Sequence, residues 1–223
     1  ALEKSGEADK TLVIFTSDNG CAPYIGVSAM EKKGHYASGP LRGYKSDVWE
    51  GGHRVPFIVR WPGKVKPETK CSQLVHQADL MATFAAILGT KLPDNLAEDS
   101  FSLLPLLRGE DKPVRKHAVS CSMRGVPGLR KGEWKLILGP GSGGWTRGSA
   151  DQPVQLYNLT EDLGEKQNLA AEQPERVAQM KNLMEKIITN GRSTPGAPQK
   201  NDVRVRRYAQ KTPAAKKPKE SPK

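Results

Sequence analysis

The stretch Thr11–Gly20, TLVIFTSDNG, constrains the fold of this chain more than any other. Its first six residues are apolar or β-branched and do not alternate. They predict a strand covered on both faces, as in the parallel sheet of an α/β protein. The run ends abruptly in an acid, an amide and a glycine. In open α/β sheets, ligands gather outside the carboxyl ends of the strands, which is where Asp18 and Asn19 fall. A carboxylate and an amide carbonyl are hard oxygen donors, suited to Ca²⁺ or Mg²⁺ rather than zinc. An acid buried at such a strand end is tolerable when a cation compensates it. The same four residues, Ser-Asp-Asn-Gly, are also common turn formers, and turn chemistry alone accounts for them.

The remaining pattern divides into two textures. Residues 20–44 are rich in Gly and Pro and predict a long loop, a kind that is usually functional or disordered. VPFIVRWPG is a second strand, with Pro56 at its start and Pro62-Gly63 at its end. Apolar residues at 74, 78, 81, 85 and 88, with Leu80, Phe84 and Ile87 beside them, predict a helix that Gly89 stops. FSLLPLLRGE predicts a short helix or turn. Beyond a boundary near Lys112–Arg115, HAVSCSM, GLRKGEWKLIL and VQLYNL read as strands of a small antiparallel sheet. QPERVAQMKNLMEKIITNG then reads as an amphipathic helix. Pro174 suits its first turn, Val177, Met180, Met184 and Ile187 form its apolar stripe, and Gly191 ends it.

Charge needs dissecting before it is used. The 223 residues carry a net +11, but residues 192–223 alone hold ten Lys or Arg against two acids. That tail, rich in Pro, Lys and Ala, predicts disorder, and the rest is close to neutral. Specific single-strand nucleic-acid binding would want several stacking aromatics, and the tail has only Tyr208. No run reaches the ~18–20 apolar residues needed to span a bilayer. Ala1–Lys10 has no apolar core flanked by basic residues, so no signal peptide is visible. Cys21, Cys71 and Cys121 form no C-x-x-C pair, which argues against a thiolate zinc site; one disulfide remains open to them.

A second constellation is LRGYKSDVWEGGHRVP, residues 41–56, with Arg42, Lys45, His53 and Arg54 gathered around Gly51-Gly52. By composition it is a solvated basic loop. Order and spacing change that reading. TLVIFTSDNG followed by LRGYKSDVWEGGHRVPFIVRWPG closely resembles the sulfatase family of sulfuric ester hydrolases, in its bacterial arylsulfatase-like branch. The resemblance continues through HQADLMATFAAILG, SLLPLLRG, LRKGEWKLI and LYNLTEDLGEKQNLA, covering most of residues 10–190 in order.

The resemblance implies an α/β fold. Residues 1–112 would be the C-terminal part of an alkaline-phosphatase-like catalytic domain. Residues 113–191 would form a small α+β subdomain with an antiparallel sheet and a C-terminal helix, and 192–223 the basic tail. It implies that Asp18 and Asn19 ligate a divalent cation, Ca²⁺ ahead of Mg²⁺, and that Lys45 is catalytic by contacting the sulfate group. A cation and an ammonium together stabilise the charge that develops on sulfate oxygens during transfer. Glu50, His53 and Arg54 read as structural, with Arg42 and His35 as further pocket candidates. The family nucleophile is a formylglycine made from Cys or Ser in a Cys/Ser-x-Pro/Ala-x-Arg motif. CAPYI has Ile25 in place of Arg and follows the Asp-Asn pair, so Cys21 is rejected; CSQLV and CSMRG also fail. The nucleophile is therefore expected upstream of Ala1, leaving this chain inactive alone. The resemblance also implies a sulfated small molecule or glycan as substrate and a periplasmic or secreted location. The alternatives are a related phosphate or phosphonate monoester hydrolase, and a polyanion-binding protein acting through the tail.

Overall fold

The computed structural model describes residues 1–205 and 207. β1 (Val13–Thr16) forms before the Asp18–Asn19 turn. The predicted loop after it is not structureless: a 3₁₀ turn at Pro23–Ile25 leads into α1 (Val27–Glu31), anchored by buried Val27. α2 (Glu50–His53) is a single turn, and β2 (Phe57–Arg60) follows it.

β1 pairs with β2 antiparallel, with Phe15 opposite Ile58. Those two are 63% and 60% exposed. The expectation of a parallel strand covered on both faces is thus corrected for the described residues. An unbroken apolar run announces a strand but says nothing of its neighbour's direction or of what lies against each face.

α3 (Asp79–Ile87) also differs from expectation. It begins at Asp79 rather than near Leu74, and Met81 and Leu88 of the predicted stripe are exposed. The side turned inward carries Asp79 and Thr83, both buried. Arg115 explains this, because its Nε and Nη2 donate to Asp79 Oδ2 and Oδ1 at 3.0 and 2.6 Å. Asp79 also accepts the His76 and Phe101 N–H groups, and Thr83 Oγ1 accepts that of Leu103. Satisfying a buried carboxylate outranks turning a particular apolar stripe inward.

After the short α4 (Leu104–Leu107), an antiparallel meander runs β3 (His117–Cys121), β4 (Pro127–Lys131), β5 (Trp134–Ile137) and β6 (Gln155–Asn158). The β4–β5 hairpin closes over Gly132-Glu133, with Gly132 at φ +58°, a turn that favours glycine at its first central position. α5 (Pro174–Asn190) starts at Pro174 and stops at Gly191, φ +61°, as its sequence predicts.

Both faces of the meander are covered. Leu129, Leu136, Leu138 and Leu156 pack on Met180 and Met184 of α5. Val126, Ile137, Tyr157 and Leu159 pack on Val48 and Trp49. Each large apolar side chain so buried contributes roughly 1.5–3 kcal/mol. The second cluster spans the expected division near Lys112–Arg115, as does the Arg115–Asp79 pair.

The segment after α5 is held rather than loose at its start. Arg192 is buried and bonded to Asp94 and to the Ala197 carbonyl, Thr194 N bonds Glu98 O, and Asn201 Nδ2 bonds Ile188 O. Of the tail expected to be disordered from residue 192, residues 192–201 lie against Asp94, Glu98 and the end of α5. The rest of that expectation, Tyr208 included, falls largely outside the described residues. Among the described residues, no helix is long and apolar enough to cross a membrane.

Candidate active site

β1 delivers Asp18 and Asn19 into a turn in which Ser17 Oγ donates to Asn19 O at 2.9 Å. Asn19 Nδ2 donates to Asp18 Oδ1 at 2.6 Å, which leaves Asp18 Oδ2 and Asn19 Oδ1 to offer a cation. These are hard donors of the right kind for Ca²⁺, which takes about 6–8 oxygens, so the pair supplies part of a shell. Among the described residues, no group of three or more His, Cys, Asp or Glu is arranged to hold a metal. Asp18 is exposed, so desolvation does not force a cation upon it. Asp18 lines a cavity of about 420 Å³ with Thr16, His53, His76, Arg130 and Lys135 among the walls.

Lys45 lies outside that cavity, half-buried. Its backbone is nevertheless pinned beside the Asp-Asn turn, because Lys45 N donates to Cys21 O at 2.9 Å and Gly20 N donates to Gly52 O at 2.9 Å. The contact is backbone on backbone. A Cβ on Gly20 would lie 1.8 Å from Gly51 O, one on Gly51 would lie 2.2 Å from Gly43 O, and one on Gly52 would lie 2.1 Å from Asp47 O. Glycine is required at all three positions by space alone. Segments 18–21, 42–47 and 50–52 thus interlock without an intervening side chain.

The Gly-rich stretch 139–149 grips the Lys45 loop from outside. Buried Asp47 accepts the Tyr44 and Thr146 N–H groups at 2.9 and 3.1 Å. Val48 N donates to Ser142 O, and Trp145 N to Ser46 Oγ. Ser46, next to Lys45, takes a left-handed φ of +82°, a conformation that these contacts must over-determine.

Behind the turn is a buried charge cluster that sequence reasoning missed. Lys135 Nζ lies 3.0 Å from Glu50 Oε1 and 2.9 Å from Glu165 Oε1, and all three residues are at most 1% exposed. Glu165 Oε2 accepts the Glu50 N–H at 2.6 Å. His53 Nε2 lies 3.0 Å from Val48 O and 3.2 Å from Lys135 Nζ. Burial would raise the Glu50 carboxyl, but Lys135, His53 and Arg130 outweigh it and bring it down to about 2. Burial drives the His53 ring down to about 4, with Lys135 pushing the same way. Burial wins at Glu165, whose carboxyl is raised despite Lys135. The available signal was Lys135 itself, a lone charge in the strand WKLI; it becomes legible once both faces of that strand are known to be covered.

The other candidates resolve plainly. Arg42 stacks 3.6 Å over Trp49 and donates to Glu165 O, so it is structural. His35 is exposed. The three cysteines are free. Ser38-Gly39-Pro40-Leu41-Arg42 also has the Ser-x-Pro-x-Arg spacing. Its hydroxyl donates to Gly43 O at 3.1 Å, and its Arg42 is stacked on Trp49.

Residues 1–90 match the sulfatase family model. An N-acetylgalactosamine-6-O-sulfatase of Bacteroides thetaiotaomicron is 40% identical over 189 residues, covering 81% of this chain and 37% of that protein. Human arylsulfatase A is 33% identical over 210 residues, covering 82% of this chain and 39% of the relative. The chain thus spans less than half the length of these relatives. A solved sulfatase structure described with the metabolism of multiple glycosaminoglycans by B. thetaiotaomicron superposes with a TM-score of 0.74 at 37% identity, over 83% of this chain and 40% of that one. That likeness gives the α/β fold its alkaline-phosphatase-like class. The chain belongs to the sulfatase family.

Proposed function

We propose that the protein hydrolyses sulfate monoesters, with Asp18 and Asn19 contributing oxygens to a Ca²⁺ site and Lys45 contacting the sulfate. The observation that carries this reading is the interlock of the Asp-Asn turn with the Lys45 loop. It pins the backbone of Lys45 to the turn that carries the two oxygen donors, although 26 positions separate Asn19 from Lys45. A fixed positive charge aimed at the sulfate oxygens stabilises the charge that grows on them, and needs no reorganisation at the moment of reaction. A formylglycine, when present, supplies the attacking oxygen; Cys21 lacks the Arg that its precursor motif needs. The relatives' names point to sulfated glycans as the substrate class, and the reading carries with it a periplasmic or extracellular location.

The test is kinetic, in the full-length active protein with an aryl sulfate. Lys45→Ala is expected to lower kcat/KM roughly 10²–10³-fold, the scale of losing one preorganised charge stabiliser. Lys45→Arg is expected to recover only part of this, since a planar fork does not replace a compact ammonium. Wild-type kinetics for Lys45→Ala would remove it from the site.

A further inference from the structure

The Gly51-Gly52 pair touches both halves of the candidate site, so whatever fixes that pair fixes the site's geometry. Gly51 N donates to Arg42 O at 2.8 Å on the Lys45 side, and Gly52 O accepts Gly20 N at 2.9 Å on the Asp18 side. Neither glycine has a side chain with which to be held. The side chain next to them is Glu50, which runs into the interior to Lys135 of β5. The same Lys135 is shared with Glu165, whose other oxygen takes the Glu50 N–H. Glu165 itself sits at φ +51°, fully buried, with its carbonyl accepting from Arg42. A non-glycine residue in that region implies that its side chain is needed there.

Stability alone is a poor explanation for such a cluster, because a well-packed apolar replacement of a buried ion pair is often neutral or stabilising. What the cluster does supply is register: Lys135 Nζ donates to Glu50 Oε1 and the Glu50 N–H donates to Glu165 Oε2, two directional bonds on one residue, with the Lys135–Glu165 ion pair beside them.

We propose that Lys135 and Glu165 are positioning residues for the candidate active site: their buried bonds to Glu50 fix the Glu50–Gly52 turn, and through it the separation of the Asp18–Asn19 turn from Lys45. This rests on the reading of Lys45 and Asp18 given above. Neither residue touches substrate. Both act from the C-terminal region, more than 80 positions along the chain from Lys45.

The test is a double-mutant cycle in the full-length active protein. Glu165→Gln keeps an acceptor for the Glu50 N–H but removes the charge that engages Lys135. It is expected to lower kcat/KM about 10–100-fold, the effect of misplacing reacting groups by a fraction of an ångström to one ångström. In the Lys45→Ala background the same change is expected to cost far less, since there is no ammonium left to misplace. It should also weaken Ca²⁺ binding measured by calorimetry, a readout independent of turnover. Lys135→Met/Glu165→Leu removes one charge of each sign and provides a second variant should the first unfold. Full additivity with Lys45→Ala, together with unchanged Ca²⁺ affinity, would overturn the proposal. Failure of both variants to fold would overturn it too, by assigning the cluster to folding. If Lys45→Ala itself has no effect, the functional reading fails instead, and the two failures are distinguishable.

Discussion

Asp18 is one carboxylate in an exposed turn, with one of its oxygens already taken by the Asn19 amide. The metal and turn readings of it make different demands. A cation would take the free Asp18 Oδ2 and Asn19 Oδ1, so Asp18→Ala is expected to weaken Ca²⁺ binding strongly and Asn19→Asp only mildly, because the latter keeps an oxygen donor. Calorimetric titration of the full-length protein and both variants decides it, and equal affinities would leave a turn. At this scale the sequence was informative about chemistry and silent about exposure. Residue types alone left Asp18-Asn19 as a turn and Lys45 in a solvated loop; the resemblance to sulfatases is what singles them out. The left-handed backbones of Ser46 and Glu165 are invisible there, because neither residue advertises positive φ as glycine does.

Among the elements, α5 and α3 make an instructive pair. α5 was legible from end to end: a proline for its first turn, a stripe at 177, 180, 184 and 187, and a left-handed glycine stop. Its stripe faces one partner, the meander, so pattern and packing agree. In α3 the pattern was apolar on several sides, and a polar contact chose which side turned in. Asp79→Ala would strand the Arg115 guanidinium, 4% exposed, and is expected to destabilise by about 3–5 kcal/mol. Met81→Ser on the exposed face should stay within about 0.5 kcal/mol. Urea midpoints for the two variants check this, and comparable losses would restore the apolar stripe as the buried face.

For the molecule as a whole, the buried charges set how stability responds to acid. The His53 ring titrates near 4 instead of 6.5, so between those values the unfolded chain binds a proton that the folded one refuses. The neutral ring's contribution is complete above pH 6.5 and is lost as pH falls toward 4. The Glu50 contribution is present above 4.5 and disappears as pH falls through about 2. His53→Gln should flatten the stability profile between pH 6.5 and 4 while keeping the loss below it; urea midpoints across that range test this, and an unchanged slope would exclude the ring as the titrating group. By itself the sequence determined where the strand-rich segments and the last helix of the second half lie (though not that GLRKGEWKLIL folds back on itself as the β4–β5 hairpin), that the chain resembles sulfatases, and which residue types could hold a cation or meet a sulfate. Those properties are local, written in periodicity, turn residues and short motifs. Only the tertiary structure decided that β1 and β2 run antiparallel, that α3 turns Asp79 inward, and that Lys135 and Glu165 stand behind the Glu50 turn. Each of these depends on a partner far along the chain, and the free energy of a buried charge is set by what it meets there.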